Sequence, residues 1–251
     1  MQRSVRRLPT FLLGAVLAAA LGGTVEAAST KTAGTVLELF TSQGCSSCPA
    51  ADALAGKLAA KPDLILLSLP IDYWDYLGWK DTFAQHAFSE RQRAYAKARG
   101  DGQVYTPQMV VDGLQHAVGA ELVDIEQAIG VASKALAGKK VPVTMSPTAD
   151  GVTVSIGAAP VGSASRAGTL LLADFTTSQA VDIKRGENGG RQVTYIHIVR
   201  SLQPVGTWSG GAETVHLSRE QLMAEGADGC AVLLQADEHG PILGAAQMIG
   251  W

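Results

Sequence analysis

The sequence predicts an α/β domain followed by a smaller, mostly-β domain, and three observations carry that prediction. An apolar run, Val36-Leu37-Glu38-Leu39-Phe40, leads through Thr41-Ser42-Gln43-Gly44-Cys45-Ser46-Ser47-Cys48-Pro49 into a helical pattern. A proline, Pro107, stands directly before a β-like run that ends in an Asp112-Gly113 turn. After Lys139-Lys140, helices give way to short strands separated by turn signals.

The first strand is read from an apolar run over residues 36–40. Residues 50–60 read as a helix because Ala51, Leu54, Ala55 and Leu58 fall on one face. Two cysteines with two residues between them thus sit at a strand-to-helix turn. A helix N-terminus offers unpaired N–H groups and the positive end of the macrodipole, and both stabilise a thiolate. Cys45 is therefore the expected low-pKa nucleophile. Cys48, about one helical turn further on, is placed to close a disulfide with it. Pro49 suits the first turn, where its missing N–H costs nothing.

The chain has 251 residues, 47% of them hydrophobic and 17% charged, enough for two modest domains or one large one. A formal net charge of -3 argues against nucleic acid or an anionic membrane surface as partner. Residues 1–27 read as an export signal: Arg3, Arg6 and Arg7, an apolar run from Phe11 to Leu21, and small residues before a cleavage point at Ala28. An N-terminal anchor is the competing reading. The run is short for a bilayer span, and there is no second long apolar run. The mature protein is expected to be soluble and periplasmic or secreted, in an oxidising compartment. Of the 3 Cys, the pair at 45 and 48 closes so short a loop that it stabilises little, which favours chemistry over scaffolding. Cys230, in the apolar run 229–234, reads as a buried core residue.

The first helix ends near Lys61-Pro62, and Leu64 to Leu69 reads as a second strand buried on both faces. It runs out into Pro70-Ile71-Asp72-Tyr73-Trp74-Asp75-Tyr76-Leu77-Gly78-Trp79-Lys80, a loop rich in aromatics. That loop is either a hydrophobic cluster under a helix or a binding surface carrying Trp74 and Asp72. Asp72 is a candidate proton acceptor and Lys80 a candidate thiolate stabiliser. Asp81 is expected to cap the next helix, which Gly100 ends. Phe83, Ala87, Tyr95 and Ala98 mark its buried side, while Glu90, Arg91, Arg93 and Lys97 mark a solvated one. His86 reads as a surface histidine. Pro107 cannot join a ladder, so it stands at an edge, a first position or a special turn. Asp112-Gly113 turns the chain into the arm 114–118, and Leu122, Ile125, Ile129 and Leu136 trace a last helix ended by Gly138.

The order strand, cysteine pair, helix, strand, long helix, Thr-Pro, hairpin, helix resembles a thioredoxin-like domain over residues 34–138. The resemblance implies that Pro107 is cis and lies against Cys45, and that Thr106 offers backbone hydrogen bonds to a bound substrate chain. The strings LELFTSQGCSSCPAAD, IDYWDYLGWKD and VYTPQMVVDG, with ENGGR and GPILGAAQ nearer the end, are similar to a secreted bacterial family known as domain of unknown function 1223. That family implies a fold and a redox site but no substrate. The sequence departs from thioredoxin itself in lacking a Trp before the first Cys and in carrying Ser46-Ser47 between the pair.

Residues 141–251 read as a β-sandwich-like domain. Val141–Met145 and Val152–Ile156 flank an Asp150-Gly151 turn, and further strands are expected over 168–175, 192–200, 213–217, 230–235 and 242–248. Ser218 and Gln221 form a capping-box pattern for a short helix. The polar stretch 186–191 is either a mobile loop or one that reaches across to the cysteine pair and restricts entry. Tyr195, His197 and Val199 alternate onto one face, and His197 has no second metal ligand nearby, so it is not expected to bind a metal; no metal site and no cofactor are expected in the main reading.

Rival chemistry is absent from the pattern: there is no phosphate loop, no G-x-S-x-G and no H-E-x-x-H. A Cys–His hydrolase using His86, His116 or His197 leaves the second cysteine unexplained. The expected function is thiol–disulfide exchange with protein thiols or disulfides and a redox partner that the sequence does not identify. Cys45 and Cys48 are catalytic, with Thr106, Pro107, Asp72 and Trp74 contacting substrate. The alternatives are a Cu(I)-binding protein and a non-catalytic interaction module.

Overall fold

A computed structural model describes residues 1–2, 28–32, 34–163, 166–222, 224–236 and 239–250. From residue 3 onward, the export signal expected over 1–27 lies outside the described residues. In chain order the elements are β1 (Ser29–Thr32), β2 (Thr35–Thr41), α1 (Cys48–Ala59), β3 (Leu64–Pro70), α2 (His86–Arg99), β4 (Gln108–Val111) and β5 (Gln115–Val118). There follow α3 (Leu122–Ala135), β6 (Val143–Thr148), β7 (Gly151–Ile156), β8 (Gly168–Asp182), β9 (Gln192–Trp208), β10 (Glu213–Ser218), β11 (Gly229–Gln235) and β12 (Ile242–Ile249). The protein is mixed α/β, built on one large, mostly-β sheet with few helices. That sheet has nine strands in the order β1-β12-β11-β8-β9-β3-β2-β4-β5, and a second sheet has the order β10-β7-β6.

β2 and β3 are parallel and entirely buried, which is why both read as unbroken apolar runs. Their side chains alternate between two cores. Leu37, Leu39, Leu64 and Leu66 meet Ala51, Ala55 and Leu58 of α1 and Ile125 and Ala132 of α3. Val36, Phe40, Ile65 and Leu67 meet Phe88 and Tyr95 of α2 on the other face. Each fully buried Leu or Ile contributes about 1.5–3 kcal/mol. The hairpin after β4 turns through Asp112 (φ 48) and Gly113 (φ 70), the two left-handed residues that a tight hairpin demands. The small sheet packs Val143, Val152, Val154 and Leu217 against Leu170, Leu172, Val232 and Leu234 of the large one.

The large sheet runs through both parts of the chain, because Ser68 of β3 pairs in parallel with Ile198 of β9. Lys140, where the sequence pattern changes, is tied to Asp112 Oδ1 at 3.0 Å and to the Ile242 carbonyl at 3.1 Å. β9 stays paired with β8 from Gln192 to Trp208 but meets β3 only at Ile198, where its backbone is irregular: His197 has φ 47, and the Ser68 hydroxyl donates to the Ile196 carbonyl at 2.7 Å. The first part of β9 lies against α1, with Ile196 Cγ1 standing 3.6 Å from where a Cβ on Gly56 would lie. β8 and β9 are each much longer than the alternation pattern suggested, and their connection projects over the cysteine loop.

Three local expectations are corrected. Arg91 is not on a solvated face. The helix turns Phe88, Arg91, Gln92 and Tyr95 inward and leaves Ala87 and Ala98 outside, because Arg91 finds a buried carboxylate, Glu38. Asp81 does not cap α2, which starts at His86 behind Gln85; its carboxylate is taken by the Gln43 and Phe83 N–H groups. Ser218 and Gln221 exchange the two capping-box bonds, but the segment is a turn rather than a helix. No helix among the described residues is long and apolar enough to cross a membrane.

Candidate functional site

Sheet register brings the chemistry to one end of the molecule. β2 runs parallel to β3 with Thr41 opposite Pro70, and antiparallel to β4 with Phe40 opposite Gln108. The cysteine loop after β2, the aromatic loop after β3 and Thr106-Pro107 before β4 therefore share that end. Cys45 and Cys48 are joined as a disulfide, with Cα atoms 5.4 Å apart, and α1 begins at Cys48. Cys45 is 3% exposed and Cys48 is fully buried, while Ser46 and Ser47 face solvent. The Ser47 hydroxyl lies 3.4 Å from Cys45 Sγ.

The loop that carries Cys45 is held on two sides. On one, Asp81 Oδ2 accepts the Gln43 N–H at 2.8 Å, the Trp79 indole donates to Gln43 Oε1 at 2.8 Å, and Gln43 Nε2 donates to Thr82 Oγ1 at 2.9 Å. On the other, Asn188 from the β8–β9 connection donates Nδ2 to the Gln43 carbonyl at 3.0 Å and to the Cys45 carbonyl at 2.8 Å. The stretch 186–191 thus does reach across to the cysteine pair.

Trp74 links the cysteine loop to the proline. A Cβ on Gly44 would stand 3.1 Å from the Cβ and 3.1 Å from the carbonyl of Trp74, so glycine is what lets the two segments touch. The Trp74 indole donates to Thr106 Oγ1 at 2.7 Å, and Tyr76, 76% exposed, stacks on its ring. The Thr106-Pro107 bond is cis, as the resemblance implied. Pro107 is held by Gly119, whose N–H donates to its carbonyl at 2.9 Å and whose Cα faces both Pro107 and Ala51 of α1. Among the described residues, no hydrogen bond engages the Thr106 backbone N–H or C=O.

Asp72 is not drawn to the pair. Its carboxylate accepts from the Ser89 hydroxyl and meets His86 Nδ1 at 2.9 Å. Partial burial raises its pKa, but those two partners outweigh burial and hold it below the ordinary range. Lys80 is exposed. Among the described residues, no hydrogen bond or ion pair joins either to the cysteine loop.

Sequence reasoning missed the acids beneath the site. Asp52 lies four residues after Cys48 on the same buried face of α1. The Thr41 hydroxyl donates to its Oδ1 at 2.8 Å, and its Oδ2 has no partner among the described residues. Burial pushes Asp52 up to about 8, against the pull of Thr41 and with help from the charge of Asp81. Burial also lifts Asp81 to about 6, although the Gln43 and Phe83 N–H groups oppose it. The phenol of Tyr195 is pushed well up, first by burial and then by these two acids. An acid one turn inside a Cys-x-x-Cys helix was the available signal for Asp52; nothing local announces Asp81 or Tyr195 as neighbours. Cys230 is buried, and burial raises its thiol to about 12, so it is the core residue expected. His197 is likewise a core residue, bonded through Nδ1 to the Leu66 carbonyl at 2.9 Å. No group of three His, Cys, Asp or Glu side chains among the described residues is arranged to hold a metal ion.

A disulfide-forming Cys-x-x-Cys pair at a helix start, on a mixed α/β sheet, defines the class of protein. The model of a family of unknown function, DUF1223, matches residues 36–235, and the chain belongs to that family. It is similar to the protein AGR_C_4864 of Agrobacterium tumefaciens, known from a crystal structure, at 36% identity. That match covers 88% of this chain and 96% of the other, with a TM-score of 0.77. HBP35 of Porphyromonas gingivalis shares 12% identity over 86% of this chain and 75% of its own, with a TM-score of 0.55, a likeness of fold alone. No curated protein matches the chain significantly.

Proposed function

We propose that this protein is a thioredoxin-like thiol–disulfide oxidoreductase that acts outside the cytoplasm, with Cys45 as nucleophile and Cys48 as resolving cysteine. The observation that carries the proposal is the placement of the Cys45–Cys48 disulfide at the mouth of α1, joined through Gly44 and Trp74 to a cis Thr106-Pro107 with an unengaged Thr106 backbone. That backbone supplies one donor and one acceptor for an extended substrate segment. The export-like segment over 1–27 supports the compartment, where a disulfide persists.

In the reduced protein, the Cys45 thiolate attacks one sulfur of a substrate disulfide. That bond breaks, the departing thiolate takes a proton, and a mixed disulfide remains. Cys48 gives up its proton and attacks Cys45 Sγ. The second substrate thiol is released, and the protein retains the disulfide, oxidised by two electrons. Asp52, one turn below Cys48 and poised near neutrality, is the acceptor proposed for the Cys48 proton. A thiol-bearing redox partner restores the dithiol by the reverse steps.

The burial of Cys45 favours one second reading, a non-catalytic disulfide that pins the start of α1. Equilibration of the pair against glutathione separates the two. An oxidoreductase is expected to have a potential between about −270 and −120 mV, and a structural disulfide one below about −300 mV.

A further inference from the structure

The connection between β8 and β9 enters the redox site from the far part of the chain, and Asn188 makes the junction. Asn188 is 1% exposed, and its Nδ2 donates to both the Gln43 and Cys45 carbonyls. The Cys45 carbonyl also accepts the Cys48 N–H at 3.2 Å, so Asn188 grips the peptide group that closes the turn between the two cysteines. The tip itself is folded firmly. Gly186 and Gly190 take positive φ, Gly190 N–H donates to the Ile183 carbonyl at 2.8 Å, and Arg191 N–H donates to the Asn188 carbonyl at 3.1 Å. Gly186 rests against Trp79, whose indole holds Gln43 from the other side.

We propose that Asn188 is a positioning residue of the redox pair: by fixing the Gln43 and Cys45 carbonyls it holds the two sulfurs in disulfide-forming register and lowers the ease with which the pair is reduced. The physical reason is the effective concentration of one thiol at the other. A turn held by side-chain bonds keeps the thiols close after reduction, and a released turn lets them spread. Loss of the grip favours the dithiol. This inference rests on the exchange reading only for its biological use.

The test is an equilibrium in dithiothreitol buffers. The dithiol gives two electrons and two protons to Cys45–Cys48 and leaves as its own cyclic disulfide, so the exchange balances without any physiological partner. Asn188→Ser is too short to span both carbonyls. Asn188→Asp keeps the shape but, when ionised, has no donor, and it carries the test should the serine variant not fold. Each is expected to shift the ratio of dithiol to disulfide about tenfold toward dithiol, or about 30 mV, the scale of one net buried hydrogen bond. Asn188→Asp is also expected to move alkylation of Cys45 to higher pH, because a carboxylate beside the loop opposes a thiolate. Glu187→Gln, exposed on the same tip, is expected to leave the equilibrium unchanged. A folded Asn188 variant that melts earlier but keeps the wild-type ratio overturns the inference, since a merely structural residue behaves that way. A wild-type pair inert to glutathione, with the dithiothreitol ratio still shifted in the variants, removes the exchange reading and upholds the role of Asn188.

Discussion

Two buried carboxylates flank the same sheet and are treated in opposite ways. Glu38 on β2 is fully answered: Oε1 accepts Arg91 Nε at 2.7 Å, and Oε2 accepts the Tyr95 hydroxyl. Arg91 is answered in turn by Gln235 Oε1 at 3.0 Å and by the Tyr95 oxygen at 2.6 Å. Among the described residues, Asp52 on α1 has one hydroxyl donor, no cation and an idle Oδ2. A buried network with every member bonded holds a fold in one arrangement, and this one ties β2, α2 and β11 together. A buried acid left half bonded costs stability, and it persists where the cost serves another purpose. On the function proposed above, the first is a structural acid and the second a chemical one; Asp112 and Asp174 also keep one unpartnered carboxylate oxygen among the described residues, so the contrast rests on the place of Asp52 one turn below Cys48.

The largest effect is expected where the complete network is broken. Arg91→Met leaves Glu38 buried without its cation and is expected to cost about 3–5 kcal/mol in urea unfolding. Replacing both partners, Glu38→Leu with Arg91→Met, is expected to recover most of that loss, because no charge is then left unpaired. Recovery that fails would mean that the pair itself, and not its completeness, holds the sheet.

Asp52→Asn is expected to act with the opposite sign. A carboxyl raised from 3.8 in the unfolded chain to about 8 in the folded one contributes stability that is fully present below pH 3.8 and lost as pH rises toward 8. Wild-type stability should therefore fall across that range with a slope of up to about 1.4 kcal/mol per pH unit. Asp81 adds to the slope only up to about 6, while His116 and His197, both depressed by burial, oppose it below about 6.5. Asp112 and Asp174, also raised by burial, add to the fall in both proteins, so the part of it between about 6.5 and 8 that the substitution removes is what reports Asp52. There Asp52→Asn should flatten the profile and, on the proposed mechanism, slow resolution of a mixed disulfide by about a hundredfold or more. A slope unchanged by the substitution would place the proton elsewhere.

Much of the frame was legible because its causes are local. The apolar runs of β2 and β3, the Asp112-Gly113 turn and the cysteine spacing each write one physical requirement into a few adjacent residues. The stretch 186–191 was legible only as an alternative, since its charged and glycine-rich composition fits an idle loop as well as an anchored one. Asn188 becomes a clamp only when the length of β8 and β9 carries it over the cysteine loop, and that length depends on pairing across the sheet. Arg91 and Asp81 were misassigned for the same reason. A charged side chain on a helix reads as solvated, and an Asp before a helix reads as a cap, until a partner remote in sequence claims it. The pairing of β3 with β9 has no signature in either strand alone.

The smallest effect tests how little separates the two acids. Thr41→Val keeps the shape of the side chain and removes the one donor to Asp52 Oδ1. At pH 5, Asp52 is neutral in both proteins, and the lost bond is an ordinary one, expected to cost about 1 kcal/mol. Above pH 8 the wild-type carboxylate is charged and its bond to Thr41 is charge-assisted, so the cost should rise to about 1.5–3 kcal/mol. The same substitution should push Asp52 further up and carry the falling limb of the stability profile to higher pH. Urea unfolding at the two pH values measures the difference. A cost that does not grow with pH would show that Asp52 never charges in the folded protein, and that it faces Cys48 as a fixed neutral acid rather than as a proton acceptor.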